Sequence, residues 1–177
     1  MKILILGPQG SGKGTQAQLL AENFGFLHFE MGKILRSIKD ENIKSCLNSG
    51  NPVPDELVRL IAWDFVNRHH KENIVFEGYP RSVAQYEHLV DMLRKFGLRI
   101  DYVINIEIPQ EESIIRLSKR NREDDKPEAI KRRLEVYHTQ TEPILIKAKE
   151  DTEFKKIDGM MGINDIYAKI IEELKLK

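Results

Sequence analysis

The chain has 177 residues, and its 28 basic residues are matched by 28 acidic ones, so its formal net charge is zero. That length suits one compact domain with a proper core, and a composition 41% hydrophobic and 32% charged is that of a globular protein rather than a disordered one. Charge balance argues against a protein whose main task is gripping a nucleic-acid polymer or an anionic membrane, and the single cysteine, Cys46, excludes an internal disulfide and a cysteine-built zinc site.

Residues 3–6 read as a buried strand, too short for an export signal, and end at a glycine-rich stretch over 7–14. Residues 15–23 continue as a helix, followed by a short apolar piece over 26–29 and helical stretches at about 33–47 and 55–67. A strand is expected over 73–76, a helix over 82–96 and a strand over 102–108. After Pro109 comes a helix to about Arg120, then a polar break, 121–126, without an apolar residue to bury, which reads as a surface loop. Pro127 opens the next helix, where its missing N–H costs nothing. A last short strand over 154–157 precedes a closing helix at about 164–176.

Strand–helix alternation of this kind predicts an α/β fold, a parallel sheet with helices on both faces. The forty or so residues of helical pattern between Phe29 and Asn73 exceed one crossover and predict a small helical insert beside the core. No stretch approaches a membrane span, so a soluble, cytoplasmic protein is expected.

The segment Gly7-Pro8-Gln9-Gly10-Ser11-Gly12-Lys13-Gly14-Thr15 carries Gly-x-x-x-x-Gly-Lys between a strand and a helix. Glycines let the backbone curl until successive N–H groups converge on an anion at a helix N-terminus. Lys13 supplies a point charge for the outer phosphates, and the Thr15 hydroxyl a magnesium ligand. The bland alternative is an ordinary glycine-rich turn. The threonine stands one place later than usual, after Gly14, and this Gly-Lys-Gly-Thr form, followed by Gln16, resembles the nucleoside monophosphate kinases, adenylate kinases in particular.

The resemblance extends over nearly the whole chain. Met31-Gly32-Lys33-Ile34-Leu35-Arg36 is similar to the family's Thr-Gly-Asp-x-Leu-Arg, and residues 50–57 to its Gly-x-x-Val-Pro-Asp-Glu-Leu. Glu77-Gly78-Tyr79-Pro80-Arg81 stands where the family has Asp-Gly-Phe-Pro-Arg, with Gln85 following. Arg122-Glu123-Asp124-Asp125 and Lys131-Arg132-Arg133-Leu134-x-x-Tyr137 match Arg-x-Asp-Asp and Lys-x-Arg-Leu-x-x-Tyr, and Ile157-Asp158-Gly159 matches Val-Asp-Gly.

The resemblance implies a P-loop NTPase three-layer sandwich: one kinase domain over 1–177, with core 1–29, 73–120 and 127–177, a monophosphate-binding insert at about 30–72 and a short lid at about 121–126. It implies reversible, magnesium-dependent phosphoryl transfer from ATP to AMP, giving two ADP by direct in-line displacement. Its partners are ATP and AMP, no nucleic-acid polymer and no membrane, and a monomer is expected. The alternatives are a kinase for another acceptor (UMP, CMP or a deoxynucleotide) and an ATP-binding or ATPase module without acceptor phosphorylation.

By the same resemblance, Gly10, Ser11, Gly12, Lys13, Gly14, Thr15, Arg120 and Met161 bind ATP. Met31, Arg36, Asn51, Val53, Gly78, Arg81, Gln85, Arg122 and Arg133 bind AMP, with Gln85 reading an adenine edge. Lys13, Arg81, Arg120, Arg122 and Arg133 are the catalytic set, and Thr15 and Glu77 hold Mg2+, through water; no zinc is implied. Arg116, four residues before Arg120, shares its helix face.

Four residues depart from the pattern: Glu30, Met31, Lys33 and Glu77. Glu30 is expected either to resupply the carboxylate that Lys33 replaces or to form an i,i+3 surface pair with Lys33. The adjacent histidines, His69 and His70, read as a solvated helix end rather than metal ligands.

Overall fold

The computed structural model describes residues 1–120 and 122–176. Five strands, β1 (Lys2–Leu6), β2 (Leu27–Glu30), β3 (Ile74–Glu77), β4 (Tyr102–Glu107) and β5 (Glu153–Asp158), form one sheet in the order β2-β3-β1-β4-β5. Every pairing is parallel. The helices are α1 (Lys13–Phe24), α2 (Met31–Ser37), α3 (Glu41–Ser49), α4 (Asp55–His69), α5 (Val83–Arg94), α6 (Gln110–Arg120), α7 (Pro127–Val136), α8 (Ile144–Asp151) and α9 (Ile163–Leu174).

Alternation along β1 divides the core. Ile3 and Ile5 face Ala17 and Leu20 of α1 and Ile166 and Ile170 of α9. Leu4 and Leu6 belong to the opposite cluster, with Val58, Ala62 and Val66 of α4, Leu89 of α5 and Ile144 of α8. All four β1 side chains are buried because both sheet faces are covered, which is why this strand reads as a continuous apolar run rather than an alternating one. The result is the expected three-layer α/β sandwich.

Three local features depart from the sequence reading. The single helical stretch at 33–47 is two helices: Ile38 adopts extended backbone after α2, and the Asp40 side chain caps α3 by accepting from Asn42 N (2.8 Å) and Ile43 N (3.0 Å). Between α7 and α8 the chain makes a π-helical turn, Tyr137–Thr141. The polar break, whose residue 121 lies outside the described residues, does bury side chains. Asp124 is 7% exposed and the Asp125 side chain 2%. Arginines draw these carboxylates inward, a pull that apolar patterning does not register.

Candidate active site

The parallel sheet aims the carboxyl ends of its strands at one crevice, where β1 lies between β3 and β4. After Leu6 the chain turns through residues 7–12 into α1. Gly10 (φ 85°) and Gly12 (φ 93°) occupy the left-handed region that side chains disfavour, and so let the loop curl back on itself. Ser113 of α6 donates Oγ to Gln9 O (2.6 Å) and Lys13 donates Nζ to Pro8 O (2.6 Å), bracing the loop from outside and within. Ser11 Oγ is buried and has no hydrogen-bond partner among the described residues, and Ser11 does not line the crevice.

The crevice is a cleft of about 420 Å³. Gly10, Gly12, Lys13, Gly14 and Thr15 form one wall, and Glu77 and Gly78, at the end of β3, form its floor with Arg81. Arg36 reaches it from α2, Arg116 and Arg120 from α6, Arg122 from the segment between α6 and α7, and Arg133 from α7. Arg116 and Arg120 thus share one face, as their spacing requires.

So many cations in one cleft repel one another, and the chain answers with its own oxygens. Arg120 holds Asp125 in a fork (Nε–Oδ2 2.8 Å, Nη2–Oδ1 2.7 Å). Arg133 donates to Asp125 Oδ1 (2.9 Å), Asp124 Oδ2 (2.6 Å) and, across the cleft, the Leu47 carbonyl of α3 (2.9 Å). Burial alone would raise the Asp125 carboxyl, but the hydrogen bonds and charges of Arg120 and Arg133 outweigh it and hold it below the usual carboxylate range. Arg81 donates Nε to Gly78 O (2.9 Å) and has no carboxylate within ion-pair distance among the described residues. Burial lowers its guanidinium, Glu77 opposes the shift, and Arg133 and Arg36 add to it.

Lys13 is half-buried in the cleft, and desolvation drives its ammonium down to about 8 despite the nearby Glu77 carboxylate; Arg81 and Arg120 push the same way as desolvation. A phosphate entering the loop would supply the anion that restores its charge.

Gln85 lies beside this cleft rather than on its wall. Its Oε1 accepts from Arg81 N (2.7 Å) and its Nε2 donates to Asp55 Oδ1 (2.7 Å). One lone pair and one N–H remain, a donor–acceptor pair of the kind a base edge requires. Met31, Asn51 and Val53 also stand off the wall. Met31 and Val53 are buried in one apolar cluster with Leu35, and a Cβ at Gly78 would lie 3.7 Å from that of Met31. Asn51 accepts from Arg132 Nε (3.0 Å). Met161 is 37% exposed in the turn after β5, which Gln16 joins to α1 by donating Nε2 to Ile163 O (3.0 Å).

The known relatives decide among the readings of such a cleft. Residues 5–152 match the family model described as adenylate kinase. An adenylate kinase of Bacteroides thetaiotaomicron is 35% identical over 97% of this chain and 97% of its own. One of Thermus thermophilus is 35% identical over 95% and 94%. One of Lachnospira eligens is 34% identical over 98% of this chain and its own full length.

The chain belongs to the adenylate kinase family. Its parallel sheet and enclosing helices are that family's P-loop NTPase fold.

Within this family the four departures have definite places. Glu77 ends β3, lines the cleft and is the strand neighbour of Glu30 at the end of β2. Glu30 does not pair with Lys33. Its Oε1 lies 3.3 Å from Arg36 Nη2 instead, which corrects the i,i+3 expectation, because Arg36 projects back toward the cleft while Lys33 is exposed. Met31 is 1% exposed and a core residue. His70 stacks on Phe96 with centroids 4.1 Å apart, and His69 packs on Phe65 at 4.8 Å.

Thr15 and Glu77 present a hydroxyl and a carboxylate, the hard oxygen donors that suit Mg2+ beside a phosphate. Among the described residues no group of three or more His, Cys, Asp or Glu side chains is arranged to hold a metal, and no helix is long and apolar enough to cross a membrane.

Sequence reasoning missed Ser113 and Thr141. Thr141 Oγ1 donates to Arg81 O (2.8 Å) from the π-helical turn and, with Tyr137, lines the cleft. A serine on an apolar helix face and a threonine near a motif tyrosine are the only signals either leaves.

Proposed function

We propose that this chain catalyses reversible transfer of the γ-phosphoryl group of magnesium-bound ATP to AMP, yielding two ADP by in-line displacement. One observation carries the reading: a single cleft is lined on one side by the glycine loop with Lys13 and Thr15, and on the other by Arg36, Arg81 and Arg133. Plain ATP hydrolysis has no need of a second cluster of guanidiniums, so this arrangement disfavours the ATPase alternative.

Transfer between two nucleotides brings several negative charges together, and the protein's task is to position and neutralise them. On this reading Gly10, Ser11, Gly12, Lys13, Gly14 and Thr15 cradle the ATP phosphates, while Arg120 and the turn at Met161 engage the donor. Arg36 and Arg81 hold the acceptor phosphate as bidentate forks. Arg120 and Arg133 exchange their carboxylate partners for the moving group, and Arg122 adds its charge beside them. Thr15 and Glu77 would hold the magnesium ion, through water, and the ion would add electrostatic stabilisation of the phosphates. Gly78, Asn51, Val53 and Met31 would wall the acceptor base, with Gln85 offering its free amide edge. Residues 30–72 form the acceptor insert and 121–126 the lid, whose closure excludes water that would otherwise intercept the transfer. We place the protein in the cytoplasm, on its single half-buried cysteine, and as a monomer, on its resemblance to the family.

A second reading, another nucleoside monophosphate as acceptor, is favoured by Met31, whose thioether cannot offer the hydrogen bond of the family's threonine. Supplying MgATP with each monophosphate in turn and scoring both diphosphates separates them. AMP as the preferred acceptor supports the first reading, and preference for UMP or CMP the second.

A further inference from the structure

Glu30 ends β2 and occupies the N-cap position of α2, yet its carboxylate makes no capping hydrogen bond. A carboxylate there would ordinarily accept from the free N–H groups of the first turn. Instead it reaches Arg36, six residues on, at 3.3 Å. The guanidinium lies back over Gly32, where a Cβ would stand 3.3 Å from Arg36 Nη1. The two side chains are 24% and 33% exposed and both line the cleft, so the pair stands at the edge of the space a ligand would fill. Arg81, the other guanidinium on the acceptor side, bonds only a carbonyl.

We propose that Glu30 tunes the affinity of the acceptor site: its carboxylate holds Arg36 and must be displaced by the incoming phosphate. The inference rests on the acceptor reading given above. A phosphate dianion outcompetes a single carboxylate for a planar fork, whereas a ligand without phosphate cannot displace it. Glu30 therefore lowers the affinity of the site for a nucleotide and leaves that for a nucleoside unchanged. The displaced carboxylate stays beside Glu77, its strand neighbour, and adds to the negative charge the phosphate must tolerate.

The experiment is calorimetric titration of the full chain with AMP, adenosine and MgATP, for the wild type, Glu30→Gln and Glu30→Ser. Both variants should bind AMP about threefold to tenfold more tightly, the scale of a part-exposed ion pair. Adenosine and MgATP affinities should not move, and in an Arg36→Ala background the gain in AMP affinity from Glu30→Gln should be smaller than in the wild type. Unchanged or weaker AMP binding in Glu30→Gln overturns the inference, and so does an equal gain for adenosine, which would mark a structural change in the pocket. Thermal melting of each variant confirms that it is folded. A wild type that binds AMP but is insensitive to Glu30 defeats this inference alone, whereas a wild type that binds no nucleoside monophosphate defeats the acceptor reading with it.

Discussion

Desolvation, the largest influence on Lys13, brings its ammonium down to about 8. Phosphate in the loop restores the charged form, so nucleotide binding is linked to proton uptake. The window runs from about pH 8 to about pH 10, the ordinary lysine value, and closes below it, where the ammonium is already charged. Titrating MgATP in buffers of different ionisation enthalpy should show uptake in that window and none near pH 6.5; a buffer-independent heat throughout would contradict it. Asp125 carries the opposite sign. Its folded value is depressed, so its contribution to stability is present above the ordinary aspartate range and lost as pH falls through the folded value. Asp125→Asn should therefore lower the melting temperature at neutral pH, and the difference from wild type should shrink in acid. A difference that persists undiminished in acid would mean that the charge is not what matters.

The elements show how one cleft gathers side chains from distant parts of the chain. Gly50 ends α3 in the left-handed region (φ 75°), and a Cβ there would overlap the Ala129 carbonyl of α7. The end of α3 thus docks backbone to backbone on the helix that carries Arg133, and Arg133 returns the contact through Leu47 O. Gly50→Ala should cost about 1–3 kcal/mol of stability in a urea titration, from left-handed strain together with the overlap. It should also raise the AMP concentration needed for half-saturation. A cost near zero would show that the seam gives way freely.

Strands, most helices and the phosphate loop were legible in the sequence, because apolar runs and glycine punctuation are local signals. The break between α2 and α3 had a signal as well, Asp40 before Glu41 and Asn42, but the surrounding helical pattern masked it. The π-helical turn had none: five residues are too few to reveal a changed period. The positions of Ser113 and Thr141 were illegible for another reason. Their partners, Gln9 O and Arg81 O, are backbone atoms 104 and 60 residues away, and only the fold joins them. The burial of Asp124 and Asp125 likewise follows from arginines on α6 and α7.

For the whole molecule, the sheet delivers the glycine loop and the arginines to one crevice, and Glu30, Asp124 and Asp125 pair with that cationic cluster. Those oxygens stand where phosphates are proposed to go, so binding exchanges internal ion pairs for ligand ones. Transfer and hydrolysis differ in where the γ-phosphoryl group ends. Following that group from labelled ATP, with magnesium and AMP present, in the wild type and in Arg81→Ala, separates the two. The expected result is label in newly formed ADP, with the transfer rate falling on the order of 10² or more in Arg81→Ala. Label released as inorganic phosphate regardless of AMP, at a rate indifferent to Arg81, would contradict a kinase and leave an ATPase.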